Sequence, residues 1–112
     1  MATPQTPTPD AIDSFSDYST FQREVLLAIA TLEIEGTDPY GLAIKRQLES
    51  VYDEEINHGR LYPNLDTLVT EGLVEKTALD KRTNEYSLTE TGEQFLVEQQ
   101  ARITDVLEAY LD

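Results

Sequence analysis

The sequence predicts a mainly α-helical domain that contains one small β-hairpin. Three segments with helical spacing of apolar residues come first, two short strands joined by a charged turn follow, and one long helix ends the chain. A length of 112 residues fits a single domain with a thin core, which a second subunit would help to stabilise.

The N-terminal segment, residues 1–18, differs in composition from the rest of the chain. It holds three of the five prolines, so we expect a flexible arm in which Phe15 is a candidate for contact with a partner subunit. The first helix is predicted from about Thr20 to Leu32, where apolar residues recur every three or four positions. Ser19 or Thr20 can cap it.

A second helix is predicted after a turn that contains Gly and Pro. It runs from about Pro39 or Tyr40 to Tyr52. Asp38 is the expected N-cap, because the proline that follows it suits the first helical position. An acidic stretch ends this helix.

The third helix is predicted to begin between Asn57 and Arg60. Pro63 favours a start near Gly59 or Arg60, because proline is tolerated in the first turn of a helix. Leucines at i, i+4 and i+7 give this helix one buried face. Gly72 suits a left-handed cap at its C-terminus.

After the third helix the apolar pattern changes from helical to alternating. Residues 73–79 predict a strand, residues 80–84 a turn and residues 85–88 the returning strand. The last helix, from about Thr89 to Tyr110, has more apolar surface than one small core can cover, so we expect a partner subunit to cover the rest. The residues predicted for the dimer interface are Phe15, Phe95, Ile103, Val106, Leu107 and Tyr110.

The order helix, helix, helix, hairpin, helix is typical of a winged helix-turn-helix with a long C-terminal dimerisation helix. We assign residues 19–88 to the DNA-binding region and residues 89–112 to the dimerisation helix. In this fold the later helix of the helix-turn-helix enters the major groove, and its N-terminal residues meet base edges. The sequence therefore predicts a DNA-binding protein.

Charge is the most distinctive feature of the composition. The chain has 22 acidic and 8 basic residues, and the acidic residues are spread along its whole length. Distributed carboxylates hold water and counterions in molar salt, where the Debye length falls to about 3 Å. We therefore expect a high-salt cytoplasm. Residues 40–87 hold six of the basic residues against nine acidic ones, so the scarce positive charge is concentrated in the DNA-binding region.

Several classes of protein are disfavoured by what the sequence lacks. It has no cysteine and a single histidine, so no disulfide, cofactor or metal centre is expected. No apolar run approaches the roughly 18 residues that a membrane span needs, and residues 1–9 do not resemble a signal peptide, so we expect a cytoplasmic protein. An enzyme is disfavoured because the sequence offers no cysteine nucleophile, phosphate-binding glycine loop or metal cluster.

Candidate DNA contacts come from three places in the predicted fold. The start of the third helix offers Arg60 for guanine and Asn64 for adenine, and Tyr62 suits a phosphate. The charged hairpin tip suits a DNA backbone or a minor groove, and the second helix suits the flanking phosphates. The full set is Lys45, Arg46, His58, Arg60, Tyr62, Asn64, Lys81, Arg82, Thr83 and Asn84.

Each of these residues also has a purely structural interpretation. Lys81 and Arg82 fit a solvated turn, and His58 fits a polar capping position. Arg60 fits a surface ion pair with the acidic residues before the third helix, worth under about 1 kcal/mol, and Tyr62 fits packing on the hairpin. The functional interpretation is favoured because five of the eight basic residues fall at positions that this fold turns to DNA.

Three separated motifs, in order, resemble the PadR family of transcriptional regulators. They are GRLYPNLDTL at residues 59–68, EGLV at residues 71–74 and YSLTETG at residues 86–92. Tyr40-Gly41 also matches the family's usual opening of the second helix. The resemblance covers roughly residues 20–110, which is nearly the whole domain.

This resemblance implies a dimeric repressor or activator whose C-terminal helix makes the subunit contact. It implies that the third helix binds DNA through Arg60, Tyr62 and Asn64, and that residues 81–84 form the DNA-binding wing. The acidity resembles that of haloarchaeal members, among which are regulators of the oxidative-stress response, so a stress-responsive role is expected.

The expected partners are double-stranded DNA and a second copy of the chain. Two recognition helices about 34 Å apart would bind a pseudo-palindromic operator. The acidic residues Glu54, Glu55 and Asp66 flank the third helix, which suggests that cations bridge carboxylates and phosphates. The alternative is a winged helix that serves as a protein-interaction adaptor without specific DNA binding.

Overall fold

The computed structural model describes residues 18–112, and this part of the chain has the predicted order of helices around one hairpin. The mainly α-helical fold class is therefore confirmed. The arm residue Phe15 lies outside the described residues. The elements are α1 (Thr20–Ile34), α2 (Gly41–Tyr52), α3 (His58–Thr70), β1 (Val74–Ala78), β2 (Asn84–Leu88) and α4 (Glu90–Leu111).

Helix α1 begins with a capping box, in which two side chains satisfy backbone N–H groups reciprocally. The Ser19 hydroxyl accepts from the Gln22 N–H at 3.1 Å, and the Gln22 side chain accepts from the Ser19 N–H at 2.9 Å. Ser19 is therefore the cap, which is one of the two residues predicted. The inner face of α1 carries Val25, Leu26 and Ile29, all fully buried at the centre of the core.

Helix α2 begins at Gly41, later than predicted, because the two residues before it pair with the hairpin. The Pro39 carbonyl accepts from the Tyr86 N–H at 3.0 Å, and Tyr40 forms a β-bridge with Glu85. Tyr40 therefore holds the N-cap position, and Asp38 as N-cap was wrong. The Asp38 carboxylate instead accepts from the Tyr40 hydroxyl at 3.1 Å.

Helix α3 begins at His58, and Asn57 caps it through a 2.8 Å bond from the Arg60 N–H to its side-chain oxygen. Pro63 is the sixth residue of the helix, so placing it in the first turn was wrong. Its missing N–H would have bonded to the Gly59 carbonyl, one turn earlier. The cap at Gly72 is confirmed by its φ of +84°.

The hairpin is antiparallel and runs in register from the pair Val74–Leu88 to the pair Ala78–Asn84. Asn84 therefore lies in β2 and not in the turn where it was predicted. The turn is held by Asp80, whose Oδ1 accepts from the N–H of Arg82 at 2.8 Å and from that of Thr83 at 2.9 Å.

Helix α4 is anchored to the core only near its N-terminus. The Thr89 hydroxyl caps it by accepting from the Gly92 N–H at 3.1 Å, and donates to the Gly72 carbonyl at 2.6 Å. Phe95 is 4% exposed and meets Tyr18 edge-on, with ring centroids 5.2 Å apart. Phe95 is thus part of its own protomer's core, and its place in the subunit contact stays a prediction.

The core lies between α1, the inner faces of α2 and α3, and the hairpin. Its fully buried side chains include Ile44, Leu48 and Tyr86, and the leucines of α3 complete it. Among the described helices, none is both long and apolar enough to cross a membrane.

Candidate nucleic-acid interface

The outward face of α3 is fixed by the burial of its leucines. Leu61, Leu65 and Leu68 are fully buried, so the residues on the far side of the helix face solvent. We define the α3 ridge as the exposed residues opposite the leucines, which are Gly59, Pro63, Asp66, Thr67 and Thr70. Of these, only Asp66 was a candidate functional residue from the sequence, and only as a possible partner of cations. Counting half a helical turn away from the leucines would have found the others.

The α3 ridge is small and almost uncharged. The Thr67 hydroxyl donates to the Pro63 carbonyl at 3.0 Å, so its proton is used inside the helix. A threonine bonded in this way still presents a methyl group, which suits apolar contact with a thymine methyl. Asp66 is the one charged member of the ridge.

Arg60, predicted to bind guanine, packs its guanidinium against an aromatic ring of α1. Its guanidinium carbon lies 4.0 Å from the centroid of the Phe21 ring and 5.8 Å from that of Tyr52. Within residues 18–112 it forms no ion pair with Glu54 or Glu55. A base contact by Arg60 would require the guanidinium to leave the Phe21 ring.

Asn64, predicted to bind adenine, forms hydrogen bonds within the protein through both the oxygen and the nitrogen of its side-chain amide. Its oxygen accepts from the Gln22 side chain at 2.9 Å, and its nitrogen donates to the Arg60 carbonyl at 2.7 Å. These bonds tie the start of α1 to the first turns of α3. Asn64 therefore positions the helix in this structure, and these two bonds fix the orientation of the amide that adenine would meet.

Tyr62 and His58 pack on each other at the start of α3, edge to face, with ring centroids 5.5 Å apart. Tyr62 is half-buried and lies directly against Gly41, the first residue of α2. A Cβ at Gly41 would lie 2.9 Å from Cε1 of Tyr62, and closer still to its hydroxyl. Glycine at this position thus allows the close approach of α2 and α3.

Tyr86 connects the hairpin to this end of α3. Burial raises the pKa of Tyr86, and the nearby Asp66 and Tyr62 raise it further, while a hydrogen bond with Asn84 lowers it. The structure therefore brings Tyr62, Asp66 and Asn84 together around the Tyr86 side chain. The packing of Tyr62 near the hairpin agrees with its structural interpretation.

On α2, the two basic residues have different surroundings. The Lys45 ammonium bonds to Oε2 of Glu49 at 2.7 Å, and the same oxygen accepts from the Ile56 N–H at 3.0 Å. The hydrogen bond from Lys45, and then that from Ile56, lower the pKa of Glu49. Arg46 is exposed and has no hydrogen bond or salt bridge within residues 18–112, although its charge adds to the lowering of the pKa of Glu49, so we regard it as available to a phosphate.

At the wing tip, Lys81 and Arg82 are exposed, and neither side chain has a polar partner in the described part of the chain. The Arg82 N–H, followed by the Thr83 side chain and N–H, lowers the pKa of Asp80. An ionised Asp80 therefore holds the turn that presents these two cations. Thr83 is half-buried, and its carbonyl accepts from the Leu79 N–H at 2.9 Å.

Comparisons with known proteins identify relatives of this fold. Residues 30–98 match the model of the transcriptional regulator PadR-like family. RosR from H. salinarum is 50% identical, with 80% of this chain and 76% of that one covered and a TM-score of 0.71. The RosR complex named hsRosR-S4 is 42% identical, with 92% and 100% of the two chains covered and a TM-score of 0.68.

A PadR family transcriptional regulator from Eggerthella lenta shares the fold alone. It is 20% identical, with 94% of this chain and 90% of that one covered and a TM-score of 0.51. No significant match was found among curated proteins. The family match and the identity to RosR together show that this chain belongs to the PadR-like family of transcriptional regulators.

Proposed function

We propose that this regulator binds DNA as a homodimer, on a pseudo-palindromic operator and at high salt. The observation that carries the proposal is the exposed α3 ridge, which lies opposite the buried leucines on the helix that this fold uses for DNA. The ridge holds no bulky side chain that would keep the helix out of a major groove.

The predicted DNA contacts fall into two groups, according to whether the side chain already contacts another part of the protein. Arg46, Lys81 and Arg82 are exposed and unpaired within the described residues, so we assign them to phosphates on either side of α3. The side chains of Arg60, Tyr62 and Asn64 contact other elements of the protein, so we assign them to the positioning of α3.

The proposal of a homodimer rests on the second half of α4. Phe95 is the buried start of an apolar stripe that continues along the same side of α4. After Phe95, the apolar side chains of this stripe are exposed to solvent. A second copy of this surface would cover both stripes, as expected for a twofold interface. These residues, which we call the α4 stripe, are Ile103, Val106, Leu107 and Tyr110, between 49% and 82% exposed.

High salt changes how such an acidic chain can bind DNA. With a formal net charge of −14, little affinity is expected from counterion release, and cations held near Glu54 and Glu55 would bridge to phosphates. Titration of the affinity against KCl tests this part of the proposal. We expect a shallow dependence. A loss of about one decade in affinity per contacted phosphate for each decade in KCl would contradict cation bridging.

The proposal as a whole is tested by selection from randomised duplexes at molar KCl, followed by gel shift. We expect enrichment of one twofold-symmetric sequence. If no sequence-preferring complex forms, the protein-interaction adaptor becomes the better account. Mapping of bound genomic sites with and without oxidant tests the stress response, which in a sequence without cysteine must be indirect or run through Met1 or a bound ligand.

A further inference from the structure

We infer that Asp66 selects cytosine at one position in each half-site of the operator. The inference rests on the proposed function, because it needs α3 to enter a major groove. It goes further by assigning the charged side chain of the ridge to base recognition through a hydrogen bond, and by naming the base that it accepts from.

Asp66 is exposed on the face of α3 that we assign to DNA. It lies on the exposed ridge, eight residues after His58, or about 12 Å along the helix axis. Its carboxylate has no hydrogen bond and no ion pair within residues 18–112. All of its acceptor capacity is therefore open to a ligand.

Among residues 18–112, no cationic side chain pairs with Asp66. Its ridge neighbours are glycine, proline and threonine, and the guanidinium of Arg60 rests on Phe21 on the other flank of the helix. Tyr86 is near enough for the carboxylate to raise its pKa. The structure thus holds an unpaired acceptor at the centre of the proposed DNA-facing surface.

The chemistry of the major groove makes such an acceptor selective. Cytosine presents the N4 amino donor there, guanine presents two acceptors, and thymine presents an acceptor and a methyl group. Adenine has a donor at N6 beside the acceptor N7, which repels the second oxygen of a carboxylate. Of the four bases, cytosine is therefore the best partner for Asp66.

High salt removes the main objection to an acidic residue on a DNA-binding surface. In low salt a carboxylate near the phosphates would weaken binding to every sequence. In molar salt the Debye length is about 3 Å, so that general repulsion is screened while a direct hydrogen bond to a base is retained.

The test is selection from randomised duplexes at molar KCl with the full chain and two variants, Asp66→Asn and Asp66→Ala. We expect the wild type to prefer cytosine at one symmetric pair of positions by about fivefold or more. Asp66→Ala should lose this preference, and Asp66→Asn should change it to adenine, because an amide matches N6 and N7 together. Glu35→Gln removes the same charge on the turn after α1 and should leave every preference unchanged.

The outcomes separate this inference from the proposed function. If the wild type enriches a symmetric operator and both Asp66 variants keep its full base preferences, the role of Asp66 is refuted and the proposed function stands. A uniform gain in affinity for all sequences, or a changed KCl dependence alone, would also refute it, because Asp66 would then act only as a repulsive or cation-bridging charge. If the wild type enriches no sequence, both proposals fall.

Discussion

Most of the polar side chains near the start of α3 are held by the protein itself. Arg60 rests on Phe21, and Asn64 bonds to Gln22, so that α1 and α3 are joined by specific contacts. A recognition helix with small exposed residues needs a fixed orientation if these residues are to meet base edges. At this scale, the polar residues next to the ridge serve its geometry.

Arg60 provides a test of this positioning role. Arg60→Ala should lower the free energy of unfolding by about 0.5–1 kcal/mol, because the cation–π contact with Phe21 is lost. Urea unfolding at a fixed KCl concentration measures the change. Arg46→Ala removes an exposed arginine on α2 that contacts no aromatic ring in the described residues, and it serves as the matched control. Equal stability of wild type and Arg60→Ala would contradict the assigned contact.

Glu33 tests the electrostatics of an acidic fold. Partial burial raises the pKa of Glu33, and the charges of Glu93 and Glu85 raise it further. A raised folded pKa gives stability that is present below the ordinary value of 4.5 and is lost as the pH rises through the folded pKa. At neutral pH the charge of Glu33 therefore opposes folding.

We expect Glu33→Gln to raise the Tm at pH 7, and the gain to shrink in molar KCl, where the repulsion from Glu93 and Glu85 is screened. Thermal unfolding at low and high KCl measures both effects, with Glu35→Gln as the control for an exposed charge. A lower Tm for Glu33→Gln at low salt would show that the charge is stabilising.

At the scale of elements, a glycine in α4 shows where this helix packs closely on the backbone of another segment. Gly92, in the first turn of α4, lies directly against the Leu73 carbonyl, where a Cβ has no room. Gly59 has only the Asn57 side chain near the same position, at 3.4 Å. The two residues are both helical, so they form a matched pair.

Gly92→Ala should destabilise the fold by about 1–3 kcal/mol, because the backbone of Leu73 must move. Gly59→Ala should be neutral or stabilising by up to about 1 kcal/mol, because alanine has the higher helix propensity. Chemical denaturation of both variants measures the difference. Similar effects of the two substitutions would contradict the close packing of α4 on the backbone of Leu73, the residue before β1.

The type and order of the elements were predictable from the sequence because they depend on local apolar periodicity. The errors occurred where a distant segment decides the local structure. Asp38 has the local signature of an N-cap, but Pro39 and Tyr40 pair with β2, which no local pattern reveals. Pro63 lies one turn deeper in its helix than local preference indicates.

The candidate site was predicted less completely than the fold, for a similar reason. The helix and the wing were placed correctly in the fold, but the side chains were chosen by their known affinity for bases, without regard to their contacts within the protein. Whether an amide is free depends on tertiary contacts such as that with Gln22. The ridge follows only from combining the helical period with the buried leucines.

At the scale of the whole molecule, α4 dominates the shape. The described part of the chain measures 49 × 29 × 24 Å, and α4 alone accounts for about 33 Å of helix. Because Phe95 belongs to the protomer core, the α4 stripe begins only after it. If two copies of α4 pack side by side, the resulting dimer carries two α3 ridges, one from each subunit.

Leu107→Asp tests this assembly. A carboxylate buried against its symmetry mate should raise the dimer dissociation constant by at least about a hundredfold, since each subunit loses apolar contact and buries a charge. Ala101→Asp introduces the same charge on the opposite side of α4 and should leave the dimer intact. Sedimentation equilibrium at molar KCl measures both. A wild-type chain that is monomeric, or a Leu107→Asp dimer of normal strength, would contradict the interface.

The central claim, that two α3 helices of one dimer bind successive major grooves, is tested most directly by hydroxyl-radical footprinting on the selected duplex at molar KCl. The account predicts two protected patches related by twofold symmetry, with centres about 34 Å apart, or one helical turn. A single protected patch bound by one subunit, or protection spread evenly along the duplex without preference for sequence, would contradict it.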